Sequence, residues 1–145
     1  MKITVINGPN LNLLGTRNPG IYGTGSLKDL ESFLKDECKS HELNFYQSNL
    51  EGTLIDRVQA CMDDGSEGLV VNPGGYSHTS VALRDALEPL IIPKVEVHIS
   101  NIHGREDFRE RSVTGGVMNG IITGLGKFSY VLGIQAIEKI HNAKR

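Results

Sequence analysis

The chain of 145 residues has no tryptophan, only two cysteines and an aromatic content of 6%. Cys38 and Cys61 are too few for a disulfide framework or a zinc cluster. No H-E-x-x-H or C-x-x-C spacing occurs, so the sequence offers no metal site. G-x-S-x-G, the turn that carries a serine nucleophile, is missing as well. Positive charge is not in excess: 15 Lys plus Arg stand against 17 Asp plus Glu, a formal net charge of -2. That balance lacks the basic footprint of a nucleic-acid binder. No apolar run approaches the roughly 18 residues of a membrane span, and the first residues show no basic-then-apolar leader. The expectation is a soluble cytoplasmic protein with residues 1–145 forming one domain.

Glycine is what the chain has in quantity: 17 residues, gathered between the apolar runs. Those runs alternate in period. Ile3-Thr4-Val5-Ile6 reads as a strand that stops at Asn7-Gly8-Pro9-Asn10. Leu27, Leu30, Leu34 and Cys38 repeat at helical spacing behind Ser26, a natural N-cap, with Asp29 in the first turn. A strand around Phe45-Tyr46 precedes a helix marked by Leu54, Val58, Cys61 and Met62. Gly68-Leu69-Val70-Val71 is a third strand, fully apolar and therefore central. A third helix runs from about Thr79, capped by Ser77 or Thr79, and ends before Pro89. Val95–Ile99 and Ile121-Ile122 supply the last two strands. Leu125, Phe128, Leu132, Ala136 and Ile140 form the apolar face of a final helix. This alternation predicts a three-layer flavodoxin-like α/β fold, a five-stranded parallel sheet in the order 2-1-3-4-5. Ligands of such sheets sit beyond the carboxyl ends of the strands, at the switch point between strands one and three.

Three segments end there. After strand one, Gly8 to Gly25 is far longer than an ordinary connection and holds Asn10, Arg17 and Tyr22. It reads either as a glycine-hinged lid or as a surface excursion with Tyr22 packed back. Its glycines match neither the Walker pattern nor G-x-G-x-x-G. After strand three, Asn72-Pro73-Gly74-Gly75 leads to His78 and a helix N-terminus, a natural anion site or an ordinary capped turn. Asp85 lies on the same side of that helix as His78, where a carboxylate is commonly just solvated. In strand four, Glu96 and His98 share one face of an otherwise apolar strand and can pair. A carboxylate beside an imidazole fixes its tautomer and favours the charged form, which suits a general acid. Arg105, Arg109 and Arg111 come next, on a segment that looks exposed and solvated.

A tyrosine, a histidine, arginines and asparagines without a cofactor suit proton abstraction beside a carbonyl, with a second group protonating what leaves. Tyrosine ionises near pH ~10, so a tyrosine base near neutrality needs roughly 3–4 kcal/mol of preference for phenolate. One exposed arginine supplies too little, whereas two in a closed, drier site suffice. Arg17 shares the loop with Tyr22, and Arg109 is the expected second cation.

The segments Ile6–Asn12, Tyr22-Gly23, Gln47-Ser48-Asn49 with Glu51-Gly52, Asn72–Tyr76 with His78–Ala82, and Val97–His103 with Arg105 and Phe108-Arg109 occur in family order. Together they resemble the type II 3-dehydroquinate dehydratases, nearly end to end. The resemblance implies a flavodoxin-like fold and a cofactor-free anti elimination from 3-dehydroquinate to 3-dehydroshikimate through an enolate. It implies Tyr22 as base, Arg17 as its charge partner, Asn10 beside the developing enolate, and His98 as acid oriented by Glu96. It further implies that Asn72, His78, Ile99, Ser100 and Arg109 bind substrate. Asp85 is implied to complete a neighbouring subunit's site in a homododecamer, a tetramer of trimers. The pathway implied is shikimate and chorismate synthesis, with quinate breakdown the alternative. Asn18, Gly104 and Val113–Gly116 depart from the family's usual residues, without removing a catalytic group. A flavin- or nucleotide-binding module and an inactive assembly subunit are the competing readings. The first lacks a hydroxyl-rich phosphate loop, and intact Tyr22, Arg17 and His98 speak against the second.

Overall fold

The computed structural model describes residues 1–144. Its strands are β1 (Lys2–Asn7), β2 (Glu42–Gln47), β3 (Gly68–Asn72), β4 (Lys94–His98) and β5 (Gly120–Thr123). All pair in parallel in the order β2-β1-β3-β4-β5, as the alternation predicts. The helices are α1 (Pro19–Tyr22), α2 (Leu27–Glu37), α3 (Glu51–Ala60), α4 (Val81–Leu87) and α5 (Phe128–Ala143). Period-two alternation along β1 divides the core. Ile3 and Val5 pack with Leu34 of α2 and Ile134 of α5, while Ile6 turns to Leu54 of α3 and Leu83 of α4. The sheet is thus covered on both faces, and its central strands β3 and β4 are buried throughout.

Local chemistry explains the helix starts. Ser26 Oγ accepts from the Asp29 amide and Asp29 Oδ2 accepts from the Ser26 amide, a capping box that starts α2 as the sequence predicts. The helix after β3 begins later than expected. Its cap is Ser80, whose Oγ accepts from the Leu83 amide, and neither Ser77 nor Thr79 takes that role. Residues Gly74–His78 form a 3-10 turn first, because Gly74 takes φ of 59° and Ser77 is buried there. The long connection after β1 likewise contains a 3-10 turn at Leu11–Leu13 and the single turn α1, with Pro19 at its first position.

The apolar face expected for α5 needs correction. Tyr130, Val131, Gly133, Ile134 and Ile137 face the sheet, whereas Phe128 and Leu132 are exposed and Leu125 precedes the helix. Its first two turns, Phe128–Ile134, are apolar apart from Ser129, so spacing alone does not select the buried stripe there.

At the carboxyl ends of β1 and β3 the chains run very close. A Cβ on Gly8 would lie 2.4 Å from the Pro73 carbonyl oxygen, so only glycine fits. Beneath this point Tyr130, fully buried, donates to Asn7 Oδ1 at 2.6 Å and accepts from Asn72 Nδ2 at 2.8 Å. Tyr130→Phe leaves both asparagines short of a partner, and unfolding in denaturant is expected to show a loss of about 1–3 kcal/mol. An unchanged midpoint would show that the bonds contribute nothing net.

Candidate active site

A cavity of about 140 Å³ opens at this switch point. The connection after β1 brings Asn10, Arg17 and Tyr22 to it. The turn after β3 adds Asn72 and His78, and the segment after β4 adds His98, Ile99, Ser100, Arg105 and Arg109. All candidate residues but two therefore line one space. Glu96 lies behind His98, and Asp85 is exposed on α4, outside the cavity of its own chain.

β4 fixes the histidine. Glu96 and His98 are two residues apart on one strand face, and His98 Nε2 lies 2.6 Å from Glu96 Oε1. Glu96 is fully buried and its carboxylate only accepts, so Nε2 carries the hydrogen and Nδ1 is the nitrogen available to a ligand. The His78 ring stacks on His98 with centroids 6.2 Å apart. His78 Nδ1 donates to the Arg111 carbonyl at 2.8 Å. Burial lowers the His78 pKa, the Arg111 carbonyl opposes this, and the nearby charges of His98 and Arg109 lower it further. The net direction is below the ordinary histidine value.

The tyrosine sits on the long connection after β1. Tyr22 is the last residue of α1, between Asn18 at φ 37° and Gly23 at φ 81°. Arg17 stacks its guanidinium 5.0 Å from the ring centroid. The second cation is not Arg109, as expected, but Arg105, which donates from Nη1 to the Tyr22 hydroxyl at 2.7 Å. The same Nη1 lies 3.4 Å from Ser100 Oγ, so Arg105 links the connection after β1 to the segment after β4. Arg109 is tied instead to Glu106 at 2.8 Å, and this bond holds the Glu106 carboxyl below its usual range. In the sequence Arg105 looks solvated, because nothing in its spacing marks a contact made across a gap of 83 residues.

The Gly-Gly turn after β3 lines the cavity, with two of its amides engaged within the turn. The Gly74 amide donates to Asn72 Oδ1 at 3.1 Å, and the Tyr76 amide donates to Pro73 at 3.3 Å. Asn49 has a supporting role that spacing does not reveal. Its Oδ1 accepts from the Asn10 amide at 2.9 Å, fixing the left-handed Asn10 at φ 69°.

A larger cleft of about 470 Å³ lies on the other side of Tyr22 and Ile99. Leu14, Leu30, Phe33 and Phe128 line it, and its carboxylate, Asp29, is engaged in capping α2. Tyr22 and Ile99 line both spaces, whereas His98, His78 and the three arginines line only the smaller one.

Comparison with known proteins agrees with this fold. The family model described as Dehydroquinase class II matches residues 1–138. The chain belongs to this family. The type II dehydroquinase solved from Butyrivibrio crossotus superposes with a TM-score of 0.93 at 48% identity, covering 95% of this chain and 97% of that one. The 3-dehydroquinate dehydratase of Azorhizobium caulinodans is 52% identical over 144 residues, 98% of this chain and 97% of its own. That of Helicobacter hepaticus is 48% identical over 144 residues, 98% of this chain and 91% of its own.

Two outcomes are expected for this class II dehydroquinase site. Arg105→Met removes a charged hydrogen bond to Tyr22, and steady-state kinetics are expected to show kcat lower by roughly tenfold or more. Wild-type turnover would make Arg105 a bystander. His78 binds its proton less readily folded than unfolded, so its contribution to stability is full above about pH 6.5 and is lost as pH falls below it. A residue-resolved NMR titration is expected to give His78 a midpoint below 6.5, and a midpoint above that value would contradict the burial argument.

Proposed function

We propose that this chain, a class II dehydroquinase and hence a lyase that dehydrates 3-dehydroquinate, works by a cofactor-free anti elimination on the residues gathered around its small cavity. The observation that carries the reading is the placement of two chemically distinct groups on one space. Tyr22 is held by Arg105 at 2.7 Å, and His98 is held by buried Glu96 at 2.6 Å.

Tyr22, as phenolate, takes the proton alpha to the substrate ketone. Arg17 and Arg105 supply the positive charge that a phenolate there requires. Electrons move to the carbonyl oxygen, and Asn10 faces the enolate charge as it develops. The tertiary hydroxyl then leaves as water with the Nδ1 proton of a His98 imidazolium, whose Nε2–H stays hydrogen-bonded to Glu96. A proton passing from Tyr22 back to His98 through solvent restores the starting state. Substrate hydroxyls are bound by Asn72 and His78, and the carboxylate by Arg109 with Ser100 and the Ile99 backbone. Arg109 must exchange Glu106 for the substrate carboxylate, a swap of one anion for another that keeps the guanidinium paired.

Residues 1–145 act in this reading as one catalytic domain in the cytoplasm, on the shikimate route to chorismate and aromatic amino acids. Asp85, exposed on α4, serves the site of a neighbouring copy in a homododecamer. Purified protein mixed with 3-dehydroquinate is expected to produce the conjugated enone absorbance of 3-dehydroshikimate, unaffected by chelator or borohydride. Sensitivity to either reagent would replace the mechanism with a metal or Schiff-base route. Tyr22→Phe is expected to lose nearly all turnover while still binding ligand, and retained turnover would remove Tyr22 as the base.

A further inference from the structure

Glu96 is fully buried on β4, and among the described residues no lysine or arginine pairs with it. Burying a carboxylate costs several kcal/mol unless its oxygens are satisfied, so its partners matter. Besides His98, both come from one short turn after the arginine-rich segment. Ser112 Oγ donates to Oε1 at 2.7 Å, and Thr114 Oγ1 donates to Oε2 at 2.6 Å. Oε1 thus takes two donors and Oε2 one, which fixes the plane of the carboxylate about its terminal torsion. Without the Thr114 hydroxyl, Oε2 has no donor among the described residues, and the carboxylate is free to rotate off His98. That rotation spoils the partner that orients the imidazole.

The turn is built to hold these hydroxyls still. Thr114 is itself fully buried, and the Gly115 amide donates to Ser112 Oγ at 2.9 Å. A Cβ on Gly115 would fall 2.2 Å from Ile121 Cδ1 and 3.0 Å from Ser112 Oγ. The flanking backbone is anchored to the turn after β3 and to α4. The Val113 amide donates to the Ser77 carbonyl at 2.6 Å, and Arg84 Nη1 donates to the Val113 carbonyl at 2.9 Å.

We propose that Thr114 and Ser112 are positioning residues for the elimination, acting through Glu96 to hold His98 in line with the leaving hydroxyl. This inference rests on the reading of His98 as the acid. Thr114 and Ser112 touch neither the cavity nor the reacting atoms, so they act on the transition state and not on substrate affinity.

The test compares kcat and KM of the intact enzyme with its Thr114→Val, Thr114→Ser, Ser112→Ala and His98→Asn variants, each checked for native circular dichroism. Valine keeps the shape of threonine without its hydroxyl. Thr114→Val is expected to lower kcat by roughly tenfold or more, the equivalent of one hydrogen bond to a charged group, with KM changed by less than about twofold. Thr114→Ser, which keeps the hydroxyl, is expected to recover most of that loss. Wild-type kcat in Thr114→Val alongside an inactive His98→Asn would overturn the inference while leaving the acid assignment intact. A Thr114→Ser variant as poor as Thr114→Val would also overturn it, since packing and not the hydroxyl would then matter. Where Thr114→Val does not fold, Ser112→Ala decides: lowered kcat at constant KM supports the inference, and unchanged kcat overturns it. Wild-type turnover in His98→Asn would remove the acid assignment and the inference with it.

Discussion

The site depends on one buried phenol. Tyr130 stands under the switch point with its hydroxyl between Asn7 and Asn72, the last residues of β1 and β3. The connections after β1 and β3 leave the sheet side by side, and the Gly8 amide bond to the Asn72 carbonyl is the last backbone link between them. Tyr130 adds a side-chain link from α5, so the two connections leave the sheet from a shared anchor. Burial drives its ionisation far above the usual tyrosine range, with the Asn72 bond opposing only in part. It is therefore a neutral donor under any working condition, a purely structural tyrosine. Tyr22 stands in other surroundings: half-buried on a one-turn helix, with two guanidinium groups beside it.

The proposed acid and base differ equally in how they are held. His98 ends a fully buried central strand and leans on a carboxylate with no exposure. Tyr22 hangs on a segment whose backbone turns at Gly15, Asn18 and Gly23, all with positive φ. Arg105 makes the joint between them, since it reaches Tyr22 from the segment that also carries Ser100.

Periodicity makes the sheet order and the three ligand-bearing segments legible, because strand and helix periods alternate cleanly and parallel crossovers allow few topologies. The Glu96–His98 pair is legible for the same reason: two polar residues at period two in an apolar strand must face one way. Contacts between distant segments are beyond the reach of spacing. Arg105 reads as one of three solvated arginines until the chain brings the lid over it. The buried stripe of α5 escapes the pattern because Phe128 and Leu132 are as apolar as Tyr130 and Ile134, so only packing against Val70 and Val97 selects among them. Ser80 replaces Ser77 and Thr79 as the cap because a 3-10 turn delays the helix, and that delay is set by the close approach of Gly74 to Pro9.

The turn after β1 also discriminates between the enzymatic reading and a nucleotide- or flavin-binding one. Flavodoxin-like proteins that hold a phosphate do so with backbone amides left pointing at the anion. Here the Gly8 amide donates to Asn72, that of Asn10 to Asn49, and those of Leu11, Leu13 and Leu14 to carbonyls of the same turn. Leu11 and Leu14 then fill the core below. An anion at this position would have to break bonds already made, with no cluster of hydroxyls to replace them. The positive charge of the cavity instead comes from three side chains, Arg17, Arg105 and Arg109. Guanidinium groups suit the carboxylate of the proposed substrate, with no nucleotide phosphate needed to explain them.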